Sequence, residues 1–419
     1  MIVLELKAKG KTTQYAAINE AIKTAQFVRN KCIRFWMDNR GVGQKELYRY
    51  NTALRAEYSF VKDLNSHATQ VAVERAYSSI ARFYYNCKKR KVGAEVSSDP
   101  NFVREQIPGQ KGYPKFKKNN RSVEYKTSGW KLSQTRKQIT FTDKKGIGKL
   151  NLKGTWDLNF YPLEQIKRVR LVRRADGYYV QFLVSVDNKV ETQPTGKTIG
   201  LDVGLKEFYT DSNGHSEPNP RFYRTGEKRL KFRQRRVQSK KKGSINRKKA
   251  INKLGRVHLK ISRQRQEHAK RIARCVIQSH DLVAYENLRI KNLVKNQSLA
   301  KSINDAGWYQ FRKWLEYFGV KFARITVAVN PAYTSQECSN CGAVVKKSLS
   351  TRTHVCECGF VLDRDWNAAI NILKLALSTV GHTGTWILDP NALGDSTSTH
   401  AGEILYEQVG SMNKESSPL

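Results

Sequence analysis

Residues 197–214 read KTIGLDVGLKEFYTDSNG, and this stretch decides the fold of the second half of the chain. Ile199 and Leu201 sit in a short apolar run with the character of a buried strand. The run ends on Asp202. A turn follows, EFYTD reads as a second strand, and Ser212-Asn213-Gly214 supplies a hairpin turn. A carboxylate at the end of a buried strand is costly unless a cation meets it. The arrangement recurs downstream: HDLVAYENL at 280–288 ends its apolar run on Glu286. DWNAAINIL at 365–373 opens a helix in which Asp365 shares a face with Ala368, Ala369 and Ile372. Asp202, Glu286 and Asp365 are therefore candidate catalytic carboxylates. Three converging acids in a basic chain suit two Mg²⁺ ions, the standard device for phosphodiester hydrolysis. Each acid alone has a plainer reading. Asp202 fits a phosphate-binding turn, Glu286 a partner for Arg289 or Lys291, and Asp365 a helix N-terminal acid. Their order, strand then strand then helix, joins them. Asp363 competes with Asp365, either as a cap or as a helper.

The cysteines carry the second signal. Cys338-Ser-Asn-Cys341-Gly is a tight knuckle, and Cys356-Glu-Cys358-Gly follows after a short hairpin. Four thiolates so spaced form a tetrahedral zinc site, with Gly342 and Gly359 supplying the turns. The second knuckle is one residue shorter than usual, so His354 stands as an alternative ligand. A closed four-ligand site leaves no open position, which makes the zinc structural. Cys32, Cys87 and Cys275 lie in helical pattern and read as buried small hydrophobes. A clustered thiol site in a reducing compartment, with no signal-like start, points to a cytoplasmic, nucleoid-associated protein.

Charge narrows the partners. The 419 residues hold 76 Lys+Arg against 36 Asp+Glu, a net charge of +40. A compact protein with that excess repels itself unless a polyanion relieves it. Nucleic acid is the first candidate and an anionic membrane surface the second. The apolar runs fall far short of a bilayer span, and the basic stretch lacks a Trp/Leu-rich opposite face. Residues 221–280 concentrate the charge, with 22 Lys+Arg against 2 Glu. Lys240, Lys241, Lys242, Arg247 and Lys248 are candidate phosphate contacts there. In GYPKFKKNNRSVEYKTSGWK at 112–131, Lys115, Phe116 and Lys117 suit stacking and phosphate contact, or an ordinary barrel rim.

The N-terminal part opens with a strand at Ile2–Leu6 and continues with two helical stretches, AAINEAIKTAQFVRNKCIRFWMDN and about 65–89. Residues from about 91 read as loop. Short alternating runs between 121 and 190 read as an antiparallel sheet or small barrel. GWYQFRKWLEYFG places Trp308, Phe311, Leu315 and Phe318 on one helical face, with Gly319 as its stop. VKFARITVAVN reads as a third strand of the second half. From about Ser378 the chain loses periodicity and reads as a disordered tail.

IGLDVGLKEF at 199–208, VAYENLRIKNL at 283–293, NPAYTSQECSNCG at 330–342 and CECGFVLDRDWNAAINIL at 356–373 together resemble the TnpB family. These are transposon-encoded RNA-guided nucleases related to compact type V CRISPR effectors. GYPKFK at 112–117 with RSVEY at 121–125 extends the likeness, which covers about 1–376. The resemblance implies a multidomain α+β and α/β chain. A wedge β-barrel would span 1–195, with a helical recognition insertion at about 12–92. A RuvC-like nuclease of the RNase H fold would span 196–333 and 360–376, interrupted by a zinc-ribbon-like module at 334–359, with 377–419 a disordered tail. It implies that Asp202, Glu286 and Asp365 bind two Mg²⁺, and that Cys338, Cys341, Cys356 and Cys358 bind one structural Zn²⁺. The partners it implies are a transposon-end guide RNA and double-stranded target DNA bearing a short adjacent motif; the sequence leaves the oligomeric state open, with one chain per RNA preferred over a dimer. A guide–target duplex is read by shape and backbone while base pairing reads sequence, which suits so basic a chain. Two other functions remain open: a transposase that joins DNA ends, and a guided DNA-binding protein with a silent nuclease.

Overall fold

The alternation in IVLELKAK makes β1 (Ile2–Lys9) a strand with Leu4, Leu6 and Ala8 buried on one face. The computed structural model describes residues 1–39, 41–95, 112–187, 189–348 and 351–382. They fall into two units, Met1–Val186 and a second from Asp187.

In the first unit, β1 leads into α1 (Thr12–Asp38), α2 (Gln44–Glu57), α3 (Ser59–Lys62) and α4 (Ser66–Glu95). Six strands follow: β2 (Ser122–Lys126), β3 (Trp130–Leu132), β4 (Gln138–Phe141), β5 (Gly148–Lys153), β6 (Ile166–Arg174) and β7 (Gly177–Val184). They join β1 in one sheet of order β2-β6-β7-β1-β5-β4-β3, antiparallel throughout. The edge strands β2 and β3 are consecutive in the chain, joined by a single 3₁₀ turn, Thr127–Gly129. The Tyr125 ring packs on Phe141 across that corner, so the sheet curls back towards itself. Helices α1 and α4 share the core with Leu6, Phe182 and Tyr125.

The second unit is built on β8 (Thr198–Asp202), β9 (Glu207–Asp211) and β10 (Ser216–Pro218). The helical hairpin α5 (Phe222–Gln238) and α6 (Ile245–Ser279) comes next, then β11 (Leu282–Glu286). After α7 (Ile290–Leu293), α8 (Gln297–Ala306) and α9 (Trp308–Lys321), β12 (Ile325–Val329) completes the sheet. Its order is β10-β9-β8-β11-β12, with the first three strands antiparallel and β8, β11 and β12 parallel. The small hairpin β13 (Thr353–Val355) and β14 (Val361–Asp363) precedes α10 (Arg364–His382). Ile199, Leu201, Val283 and Tyr285 pack against α6 and α9 on one face. Leu282, Ala284 and Val329 pack against Ile372 and Ala376 of α10 on the other. Parallel strands covered on both faces read as continuous apolar runs, as these do.

The structure departs from several sequence expectations. α9 runs through Gly319, which does not stop it: a Cβ there would sit 2.7 Å from Thr326 Cγ2, so the glycine admits β12 instead. α10 continues to His382, beyond the expected limit at 376; residues 383–419 of the expected tail lie outside the described residues. α4 reaches Glu95, into the stretch expected to be loop, and 96–111 are likewise outside. Helix α2 was not legible at all. Cys32 is buried as expected, but Cys87 and Cys275 are exposed, because the register of α4 and α6 turns them to solvent. Among the described residues no helix is long and apolar enough to cross a membrane.

Candidate active site and metal centre

Strand alternation aims the first two acids. Leu282 and Ala284 face α10, and side chains two apart share a face, so Glu286 turns the same way. Gly200 also faces α10: a Cβ there would lie 2.2 Å from the Ala369 carbonyl oxygen, so only glycine lets the helix backbone seat on β8. Asp202, two residues on, therefore shares that side. Leu201 pairs with Tyr285 in the parallel register, so Asp202 and Glu286 end neighbouring strands side by side. The N-terminus of α10, with Asp365 in its first turn, completes the group.

Among the described residues, neither Asp202 nor Glu286 is ion-paired with a basic side chain. Burial, then the charges of Glu286 and Asp365, push the Asp202 carboxyl well above the usual range, against a smaller opposing pull from Arg364. Burial also raises Glu286, partly offset by the Thr334 hydroxyl that donates to it. Asp365 differs. Arg364 holds its Oδ1 at 2.8 Å and Arg352 reaches its Oδ2 at 3.2 Å. The expectation that Asp365 turns inward holds only halfway, since its carboxylate is half-buried between two arginines. Asp363 settles as the cap: its Oδ1 accepts from the backbone N–H of Asp365 at 2.9 Å and of Trp366 at 3.2 Å. A divalent cation fits Asp202 and Glu286, which are partly buried, adjacent and, among the described residues, in no ion pair with a basic side chain.

The cysteine cluster is tighter. One sulfur each of Cys338, Cys341, Cys356 and Cys358 lie within 4.8 Å of one another. Cys341–Cys356 at 3.6 Å and Cys338–Cys358 at 3.8 Å match the edges of about 3.8 Å that tetrahedral Zn–S bonds of ~2.3 Å produce. Gly342 and Gly359 take the left-handed conformation, φ +78° and +82°. The Phe360 backbone N–H is foremost in drawing Cys358 down to about 6. The Cys358 N–H pulls Cys356 down, but burial and neighbouring thiols outweigh it and push that thiol up to about 12. A metal bound there would hold both sulfurs as thiolates. His354 is not a fourth ligand: it is buried in β13, with Nδ1 against Lys347 Nζ.

Residues that sequence reasoning passed over hold the two centres together. Asn367, Asn371 and Lys374 form a polar stripe along α10. Asn367 Oδ1 accepts from the Ser339 N–H at 2.9 Å, and Asn367 and Asn371 both donate to the Glu337 carbonyl. Asn371 also donates to the carbonyl of Thr334, whose hydroxyl holds Glu286. Trp366 donates to the Ser212 carbonyl at 3.1 Å and lies over Gly214, fixing the start of α10 on the β9–β10 turn. The one available signal was a pair of asparagines four apart in an apolar helix.

Of the expected nucleic-acid contacts, Lys115, Phe116 and Lys117 are exposed while their backbone is stitched to α1 through Arg29 and Asn30. Lys240, Lys241, Lys242 and Lys248 are exposed around the α5–α6 turn. Arg247 is spent otherwise, donating to the carbonyls of Val237 and Lys240 to close that turn.

Residues 181–297 match the OrfB_IS605 family, described as "Probable transposase", and 308–372 match the Cas12f1-like TNB domain. A "Putative RNA-guided DNA endonuclease" of Streptomyces pristinaespiralis is 30% identical over 326 residues, 77% of this chain and 74% of the relative. The "Putative RNA-guided DNA endonuclease InsQ" of Escherichia coli K12 is 27% identical, over 65% of this chain and 70% of that protein. In fold, the chain is similar to a protein in the cryo-EM structure of the Cas12f1–sgRNA–target DNA complex. The TM-score is 0.51 at 16% identity, covering 86% of this chain and 83% of that one.

Proposed function

Because this chain belongs to the TnpB family, we propose that it is an RNA-guided endonuclease that cuts double-stranded DNA at a RuvC-like site. The reading is supported by Asp202 and Glu286 ending the neighbouring central strands β8 and β11, with Asp365 in the first turn of α10, the helix that covers that face. Asp202 and Glu286 would hold two Mg²⁺ together with Asp365. When bound, such ions activate water and stabilise the leaving oxygen of a phosphodiester. The protein's own part is positioning. The β8–β11 register sets the spacing of the first two carboxylates, and Gly200 sets how closely α10 brings the third. Thr334 orients Glu286. Arg364 and Arg352 neutralise Asp365 and present guanidinium N–H groups where an anionic strand would arrive. The four cysteines would hold one structural Zn²⁺. The guide would be a transposon-end RNA, with a short motif beside the target.

The test starts with the RNA that co-purifies when the chain is expressed beside its flanking DNA. One discrete species with a fixed boundary is expected. Replacing its variable end should redirect Mg²⁺-dependent cutting to a matching plasmid. A random mixture of cellular RNA, or strand-transfer products from supplied DNA ends, would overturn the reading.

A further inference from the structure

The second unit carries a cleft of about 590 Å³ that the three carboxylates do not use. It opens between the turn after Asp202 (Leu205, Lys206), the start of α5 (Arg221, Arg224) and the end of α8 (Ser302, Asp305). The acid in its wall is already committed. Asp305 accepts from the backbone N–H groups of Tyr223 at 2.8 Å and Arg224 at 3.2 Å, and pairs with the largely buried Arg265 at 2.9 Å. It thereby occupies the anion position at the N-terminus of α5 and is neutralised there. Three cations remain on the wall. Arg221 touches the carbonyls of Leu205 and Lys206 only at 3.4 Å, and Arg224 reaches Ser302 Oγ at 3.4 Å. Glu227 lies 3.6 Å from Arg224 but is shared with Lys231 and Lys301. Asn219 fixes the floor by donating to the Leu205 carbonyl at 3.0 Å.

We propose that this cleft is a phosphate subsite for the DNA strand being cut, with Lys206, Arg221 and Arg224 holding one backbone phosphate near the scissile one. Place supports this as well as charge. Leu205 follows Asp202 by three residues, so their Cα atoms lie within about 11 Å of one another, a distance a few nucleotides of single strand span. Two guanidinium forks suit a phosphate better than ammonium groups do, and Leu205 offers an apolar wall for the sugar. The inference rests on the nuclease reading, and the test separates the two.

In the first arm, single neutral methylphosphonate linkages are walked along the target strand of a cleavage substrate. One position, a fixed number of nucleotides from the cut, should slow cutting by roughly tenfold, as expected for a lost charge-assisted bond. In Arg224→Gln the same linkage should cause no further loss, and Arg224→Lys should restore part of the rate. Independent, multiplying effects would overturn the proposal, as would sensitivity only to neutral linkages in the guide RNA. The second arm measures binding of a fluorescent single-stranded DNA to the full-length protein in chelator, where cutting plays no part. Arg221→Asn, which keeps a residue suited to the left-handed φ of +48°, should lower the slope of log affinity against log salt by about 0.7. Lys197→Gln, exposed at the end of β8 away from Asp202, should leave that slope unchanged. If the wild-type protein does not cut, the nuclease reading falls and this arm alone decides the subsite. Equal slopes would sink it.

Discussion

Glu124 in the first unit is buried and Asp202 in the second is partly so, and the two acids have opposite fates. Around Glu124, Arg75 of α4 stands at 2.7 Å, Arg170 of β6 at 2.8 Å and Arg168 at 3.3 Å. Burial pushes its carboxyl up, but the three arginines prevail and bring it down to about 2. Glu74 joins through Arg168 at 3.0 Å and Lys126 at 2.5 Å, so both carboxylates in that group are answered by protein. Around Asp202 the nearest charges include three further acids, and its carboxyl rises. A paired buried acid is part of the frame. An unpaired one among its own kind is where a cation from outside would belong.

The contrast is broken most severely at the acids themselves. Asp202→Asn, Glu286→Gln or Asp365→Asn should each lower guided cutting at least about a thousandfold while leaving DNA occupancy intact, read by gel shift beside cleavage. In chelator, Asp202→Asn should also raise the melting midpoint, because it removes like-charge repulsion. A fall would show that Asp202 resembles Glu124 after all. The cysteines should side with Asp202. Cys338→Ser should abolish stoichiometric zinc, measured by elemental analysis, and expose β13 and β14 to hydrogen exchange.

At Gly200 the effect is mechanical. Gly200→Ala drives a methyl into the α10 backbone, which should cost about 1–3 kcal/mol and reduce cutting more than substrate binding. At Glu124 the charge arrangement is structural, so Glu124→Gln should leave catalysis intact and destabilise the first unit by on the order of 3 kcal/mol. Because the folded carboxyl stays charged below its ordinary 4.5, this stabilisation is complete above that pH and is lost as the pH falls through about 2. Hydrogen exchange in β2 and β6 reads it. The smallest effect is at Trp366→Phe, which loses one hydrogen bond to Ser212, worth about 1 kcal/mol, and should slow cutting only a few-fold.

The same contrast explains what the sequence made legible. Asp202 and Glu286 stand out because each interrupts an apolar run, and a charge beside Ile, Val and Leu is visible locally. Glu124 was invisible as a structural residue because its three arginines come from α4 and β6, far along the chain. Its burial with Val123 and Tyr125 also breaks the alternation that would have identified β2. Helix α2 buries only Leu47, Asn51 and Leu54, too sparse a stripe to read against its polar neighbours. The cysteine spacing was legible because its ligands lie close in sequence. What fixes the knuckle is a set of carbonyl partners for Asn367 and Asn371, which appear only once α10 has folded beside it.

That stripe on α10 has a practical consequence. Asn367, Asn371 and Lys374 grip the backbone of residues 334–339, while the opposite side of the same helix packs on β8 and β11. A chimera that exchanges the cysteine-bearing segment alone would leave two asparagines and a lysine facing a foreign main chain. The transplantable cartridge runs from Thr334 through Lys374 as one piece, and its graft seam is the apolar side of that helix.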